Sequence, residues 1–283
     1  MRNIVPLEPV DYLVIGHVAQ DIIPGGKRLG GTAAYASLTA KAIGLKVGVI
    51  TSYSPDLQMP ELEGITIHPV YSEHTTTFEN IQMGNHRVQY MHQRASVLTI
   101  GSIPDVWLNT PIVHLGPIAH EVDPKLCRVF PQSLVGLTPQ GWFRKTDAAG
   151  KVHFTEWPES NYVLGNATCA VISIEDVGGD ESRIEDLISS IRILVVTEGA
   201  AGARLYWNGD LRRFIPPKME EVDPTGAGDI FASAFFIRLH QTRDPWEAAR
   251  FATYLAAQSV TRPGIEGVPQ IDEVQVGIVQ VIP

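Results

Sequence analysis

The stretch Glu221-Val-Asp-Pro-Thr-Gly-Ala-Gly-Asp-Ile-Phe-Ala-Ser-Ala-Phe-Phe236 sets a turn built on proline and glycine against an almost wholly apolar run. Pro224 restrains the chain, and Gly226 and Gly228 free it for a tight turn. A helix so apolar on every side cannot lie on a surface and must be buried. Its first amides have no partners inside the helix, so its N-terminus offers N–H donors and the positive end of a dipole. Glycine at that point lets a phosphate come close to the backbone. Asp229 stands in the same turn. A carboxylate there can take the proton of an alcohol while the amides of Gly226, Ala227 and Gly228 hold charge on a transferred group. Aspartate also favours helix starts as a cap, so on its own Asp229 is open to both roles.

Three other stretches could bind a ligand. Asp21 follows the run Asp11-Tyr-Leu-Val-Ile-Gly16, and an ionised carboxylate accepts hydrogen bonds from a ligand rich in hydroxyls. Gly30-Gly31-Thr32-Ala-Ala-Tyr35 is either a plain turn into a helix or a backbone surface for a substrate. In Val195-Val-Thr197-Glu-Gly199-Ala-Ala-Gly202 a strand steps into glycine, which suits close backbone approach or an ordinary turn. Neither Gly26-Lys27-Arg28 nor Gly150-Lys151-Val152 has the hydroxyl residue that a Walker-type loop needs after its lysine. No GxGxxG opens a helix after the first strand, which disfavours a nicotinamide-dependent oxidoreductase.

These residues need strands and helices to position them. Asp11–Ile15, Val47–Thr51, Ile112–Leu115, Ser133–Leu137, Cys169–Ser173 and Ile193–Thr197 are short apolar runs that predict buried strands. Helical or loop segments separate the later ones, which implies crossover units and a largely parallel sheet with ligands beyond its carboxyl ends. Helices are predicted over Thr32–Ile43, Ala227–His240 and Pro245–Val260. Ile65–Val70, Thr75–Met83 and Arg87–His92 read as one β-rich stretch, with Gly84-Asn85 as a turn.

Composition bounds the rest. The 283 residues, 44% hydrophobic and 19% charged, suit a soluble chain with a sizeable core. No apolar run approaches the roughly 20 residues that cross a bilayer, and the opening residues lack the layout of a signal peptide. Cys127 and Cys169 are too few for a disulfide framework, so a cytoplasmic setting is expected. The net charge of −9 disfavours broad contact with nucleic acid but permits one anionic ligand at a local cradle.

Asp223–Ala234 closely resembles the C-terminal signature of PfkB-type carbohydrate kinases, the ribokinase-like family. The resemblance extends to the segments at Asp11–Asp21, Gly30–Ser37, Val195–Gly202 and Ala252–Gly264. It implies an α/β, ribokinase-like three-layer fold with a mostly parallel central sheet and a small β lid. One kinase domain would span 1–283, with the lid contributed mainly by about 71–95. The implied reaction moves the ATP γ-phosphate to a hydroxyl of a sugar or cyclic polyol. Asp229 would be the base and Gly226, Ala227 and Gly228 the anion hole. Asp21, Gly30, Gly31, Thr32 and Tyr35 would bind the acceptor; Thr197, Gly199, Gly202, Thr225, Gly226 and Gly228 would bind ATP. The implied cofactors are ATP and Mg2+, with Asp176 reaching the metal through water and a monovalent cation left open. The implied partners are the sugar or polyol and ATP, with no nucleic acid or membrane, in a monomer or homodimer.

The chain departs from the family pattern at three places. Tyr35 stands where the family usually has Asn. Ser173-Ile-Glu-Asp176 stands where an Asn-x-x-Glu element is common. The Asp21–Gly30 link is short where lid strands usually intervene, so the lid is expected to rest on Thr75–His92, with Phe78, Tyr90 and Met91 as candidates to face the acceptor. That link, the Gly30–Tyr35 segment and Thr138-Pro-Gln-Gly-Trp-Phe-Arg144 loosely resemble the inositol-kinase branch, which makes inositol the leading acceptor. A nucleoside would need an aromatic clamp, and a phosphosugar would need cations such as Lys27, Arg28, Arg87, Arg94 or Arg144. A ligand-sensing protein that keeps the fold without catalysis is the remaining alternative.

Overall fold

The computed structural model describes residues 7–83 and 86–279. In chain order the strands are β1 (Tyr12–Ile15), β2 (Ala19–Ile23), β3 (Gly26–Gly30), β4 (Val47–Tyr53), β5 (Thr66–Tyr71), β6 (Thr76–Met83), β7 (His86–Gln93) and β8 (Ile112–Leu115). They continue with β9 (Leu134–Leu137), β10 (Arg144–Thr146), β11 (Val152–Phe154), β12 (Cys169–Ser173), β13 (Ile193–Thr197), β14 (Ala203–Trp207) and β15 (Asp210–Phe214). The helices are α1 (Thr32–Ala42), α2 (Ser160–Leu164), α3 (Glu181–Ile188), α4 (Ala227–Thr242), α5 (Pro245–Ser259) and α6 (Ile271–Val279).

Nine strands form one sheet in the order β15-β14-β13-β12-β9-β8-β1-β4-β5, parallel from β13 to β5 and antiparallel at β13–β14–β15. The predicted strands are apolar throughout because both faces of this sheet are covered. Successive residues alternate between two cores. Tyr12 and Val14 face α1, α4, α5 and α6, with Val171 and Val195 on the same side. Leu13 and Ile15 face the opposite layer, where Ile172 and Val196 pack with residues of α2 and α3 and with Trp107, Trp142 and Trp157. This is the three-layer α/β arrangement that the sequence predicted.

Thr66–Tyr71, read in the sequence only as part of a β-rich stretch, pairs in parallel with β4 as the edge strand of the large sheet. One expectation needs correction. The small sheet, ordered β3-β2-β6-β7, takes half its strands from residues 19–30, the segment read as a short link rather than lid strands. Ala19-Gln-Asp-Ile-Ile and Gly26-Lys-Arg-Leu-Gly have little apolar alternation because the exposed strands gain stability mainly from pairing. The β10–β11 hairpin lies along β7, with Met91 N donating to Gly150 O at 2.8 Å and a bridge from Tyr90 to Lys151. The expected turn at Gly84-Asn85 lies outside the described residues, as does the side chain of Arg87. The hairpin β14–β15 and α6 were not predicted. Among the described residues no helix is long and apolar enough to cross a membrane.

The helix that carries Asp229 is seated deepest. From Ile230 to Ile237 every residue of α4 is buried, and the helix contacts α1, α5 and strands β8, β9 and β12. Phe236 lies directly on β9: a Cβ on Gly136 would fall 2.6 Å from its ring. Gly136→Ala therefore forces α4 or the ring aside and should cost about 1–3 kcal/mol, read as a lower urea midpoint at unchanged slope. An unchanged midpoint would mean that α4 is not held this closely.

Candidate active site

A cleft of about 1520 Å³ opens beyond the carboxyl ends of β12 and β13 and runs under the small sheet. Asp21, Phe78 and Asn80 line one end, Thr197, Gly199 and Gly202 the other, and residues 224–229 lie between them. An open α/β sheet binds its ligands at this position.

Gly226 is the residue before α4 and adopts φ 83°, ψ −6°, a left-handed conformation that glycine adopts without strain. It must also lack a side chain, since a Cβ there would come 2.3 Å from the Tyr35 ring. The ring thus supports the loop from behind. Asp229 follows in the first turn of α4, half-buried, and its Oδ1 accepts a hydrogen bond from Thr32 Oγ1 at 2.6 Å. Thr32 reaches it because Gly116 leaves room: a Cβ on Gly116 would fall 2.5 Å from Thr32 Cγ2. The cap position of α4 is taken by Gly226, and Asp229 stands three residues further on, in the first turn.

Burial pushes the Asp229 carboxyl up to about 6. The hydrogen bond from Thr32 and the charge of Arg144 oppose that rise, while the charges of Asp176 and Asp21 add to it. A carboxylate with this affinity for a proton is a better general base near neutrality than an ordinary aspartate, and it stays mostly ionised at pH 7.

Asp21 lies over Gly30, where a Cβ would meet its Oδ2 at 2.6 Å. Gly30 makes this fit possible but does not itself line the cleft, whereas Gly31, Thr32 and Tyr35 do. The Tyr35 hydroxyl is buried and has no hydrogen-bond partner, and burial raises its pKa, so it remains a donor. Phe78 faces the cleft as expected; Tyr90 and Met91 do not line it. Phe143 and Phe154, stacked with ring centres 6.1 Å apart, also line this end. Arg144 projects into the cleft and lowers the pKa of both Asp229 and Asp176. The sequence reading named Arg144 only among available cations. The cue was its place at the end of an apolar segment, Trp142-Phe143, that buries itself and leaves the next residue at the opening.

At the other end, Thr197, Gly199 and Gly202 lie beside a strip from α5 made of Thr253, Ala256 and Ala257, with Val260 beyond. Thr253 Oγ1 is buried without a partner. Gly202 has φ 95°, and a Cβ there would strike the carbonyl oxygen of Phe214 at 2.0 Å. The Glu198–Gly202 turn therefore folds against β15. Thr225 has its amide bonded to Asp223 Oδ1 at 2.9 Å. Asp176 lines the cleft between the two ends; its Oδ2 accepts from the Ser173 amide at 2.8 Å and its Oδ1 from Gln140 Nε2 at 3.1 Å. Burial raises its pKa against the opposing effects of Arg144, Ser173 and Gln140. Apart from Gly30, the cleft brings together every residue expected to bind acceptor, donor or metal.

A nine-stranded, mostly parallel sheet covered on both faces, with a small β sheet over the cleft, is a ribokinase-like fold. Residues 157–271 match the family model of pfkB family carbohydrate kinases. That segment is less than half of the chain, and the relatives the chain resembles are kinases. It is 27% identical over 285 residues to a cytidine kinase of Thermococcus kodakarensis, covering 90% of this chain and 98% of the relative. A 72-residue segment is 39% identical to inositol 3-kinase of Oryza sativa subsp. japonica, covering 25% of this chain and 18% of that protein. The fold matches a pyrophosphate-dependent kinase in the ribokinase family, complexed with a pyrophosphate analog and myo-inositol, with TM-score 0.78 and 19% identity over 90% of this chain and 98% of that one.

Three outcomes follow from the geometry around Asp229. As pH falls through about 6 its carboxyl becomes protonated; with Asp229 as the proton acceptor, kcat/KM should drop about tenfold per unit below that point and level off above it. Thr32→Val removes a bond that favours the charged form, so the acid limb should move to higher pH; a limb that stays in place refutes the coupling. Gly226→Ala places a methyl group in the Tyr35 ring at a positive φ, and should reduce kcat by about 100-fold or more while the protein remains folded by circular dichroism.

Proposed function

We propose that the chain transfers the γ-phosphoryl group of ATP to a hydroxyl of a small cyclic polyol, with inositol as the leading acceptor. The observation that carries this reading is the Asp229 carboxyl, bonded to Thr32 at the mouth of α4 and open to the cleft beside the Gly226–Gly228 loop. An acceptor hydroxyl held near Asp229 gives up its proton as it attacks. The loop amides and Arg144 stabilise charge on the moving phosphoryl group. Asp21 orients the acceptor by accepting its hydrogen bonds, and Tyr35 lies beneath the loop at the same end of the cleft. The small sheet acts as a lid that keeps water from competing for the phosphoryl group.

The donor end supports ATP over pyrophosphate. Ala256, Ala257 and Val260 form an apolar strip facing the glycines of the 199–202 turn, which suits the flat face of a base, and Thr253 offers an unused hydroxyl. Pyrophosphate would leave this strip uncovered. The residues present also fit magnesium. Asp176 faces the cleft near Glu175, and the described residues contain no cluster of three or more His, Cys, Asp or Glu. Mg2+ binds through substrate phosphates, water and one or two carboxylates rather than an all-protein cage, so Asp176 would hold it through water. When bound, the ion neutralises charge on the donor phosphates.

A nucleoside acceptor is a second reading, favoured by Phe78, Phe143 and Phe154 at the acceptor end, where a base could stack. It also agrees with the name of the relative from Thermococcus kodakarensis. One experiment separates the readings: release of ADP or phosphate is followed with ATP or pyrophosphate as donor against myo-inositol, ribose, fructose, cytidine and adenosine. Turnover with ATP and myo-inositol, lost in Asp229→Asn with ATP binding intact, is the expected result. Turnover confined to the nucleosides selects the second reading. Undiminished activity of a folded Asp229→Asn protein removes the assigned base, and no turnover with any pair refutes both readings.

A further inference from the structure

Arg28 lies on β3, the outer strand of the small sheet, and does not line the cleft. Its Nη1 donates to Asp223 Oδ2 at 2.9 Å, and the pair is largely shielded, with side chains 29% and 17% exposed. Asp223 opens the loop that ends at Asp229. Its Oδ1 accepts from the Thr225 amide at 2.9 Å and its Oδ2 from the Gly264 amide at 3.0 Å. The guanidinium packs on Gly264 so closely that a Cβ there would lie 2.9 Å from Nη1. One carboxylate thus joins a strand of the small sheet, the loop before α4 and the turn that follows α5.

The other end of this link is equally defined. Across the β2–β3 pair the register partner of Arg28 is Asp21. Directly opposed residues of an antiparallel pair project to the same face. The acceptor-facing carboxylate and the loop-holding guanidinium are therefore neighbours on one hairpin, closed by the turn between Ile23 and Gly26. A displacement of this hairpin moves both together.

We infer that Arg28 is a positioning residue that ties the anion loop to the strand pair holding the acceptor, so that the Gly226–Gly228 amides are aligned by the same hairpin that carries Asp21. The inference rests on the proposed roles of Asp21 and of the loop. Arg28 touches neither substrate nor the reacting atoms; it acts through Asp223. A charge-assisted bond that is largely withdrawn from water can hold a loop where an exposed ion pair would not. Lysine could keep the charge but not the planar fork that bonds Asp223 while lying flat on Gly264.

The test compares the full chain with Arg28→Met, Arg28→Lys and, as a control for lost charge on the same strand, Lys27→Met, whose exposed amine donates to Gln20 Oε1 at 3.2 Å. Amide hydrogen exchange without ligands is read first. Arg28→Met should speed exchange across 222–229 by about tenfold or more and leave β12 and β13 unchanged, with Lys27→Met like the unmodified chain. With ATP and the fastest acceptor of the panel, Arg28→Met should lower kcat by about 100-fold while KM for ATP stays near its starting value, and Arg28→Lys should recover part of the loss. Unchanged exchange over 222–229, or equal acceleration throughout the sheet, overturns the inference. So does an effect on KM for ATP with kcat preserved. If the unmodified chain turns over no pair in the panel, the proposed function fails, and the exchange result alone decides the role of Arg28.

Discussion

A helix that is apolar on every side has only one place to go, and that fact fixes the rest of this molecule. α4 is enclosed by α1, α5 and the sheet, so its first turn opens at a set point beyond the strand ends. Its first turn faces the cleft because the helix cannot slide to hide it, although the amide of Ala227 already donates to Pro224 O at 3.2 Å. The carboxyl of Asp229 inherits its setting from the same burial. Desolvation raises its proton affinity, and one short bond from Thr32 keeps that rise moderate. Chemistry and packing are here two consequences of one buried cylinder.

The cleft is divided by residue type. The end formed by Gly199, Gly202, Ala256 and Ala257 presents backbone and methyl groups against which a flat ligand can lie. The opposite end mixes carboxylate, amide and hydroxyl side chains with three phenylalanines. The two ends meet at Asp229, with Arg144 and Asp176 close enough to affect its charge. On the proposed reading, a ligand that spans both ends has its phosphates near the helix start and its variable parts further away.

Much of this was legible in the chain before any coordinates. Asp223–Asp229 has fixed roles for proline, glycine and aspartate, and the apolar run after it could only be a buried helix. The strands of the large sheet announced themselves because both faces are covered and the residues read as continuous Val, Ile and Leu. The small sheet was half missed for the opposite reason. Gln20, Asp21, Lys27 and Arg28 are polar, and their strands form through pairing with each other and with β6. The sheet that Thr66–Tyr71 joins was not legible, because a strand's partner is not written in its own six residues. Arg144 was ambiguous since cations look alike in sequence; only the burial of Trp142 and Phe143 on one side of it directs it to the cleft. Thr32 carried a signal for substrate, whereas the fold turns its hydroxyl to Asp229.

The β10–β11 hairpin, which lies along β7, has an effect on the outer boundary of the molecule. Strand edges are templates for other strands, and an unguarded one invites pairing with a second chain or growth toward fibrils. On the β7 side that template is already engaged by Gly150 and Lys151. On the β3 side no further strand lies beyond it among the described residues; there Arg28 is tied down to Asp223, and Lys27 leaves an exposed amine. The sheet is thus occupied at one margin and carries a lone lysine at the other, the kind of residue that discourages a like chain from extending an edge.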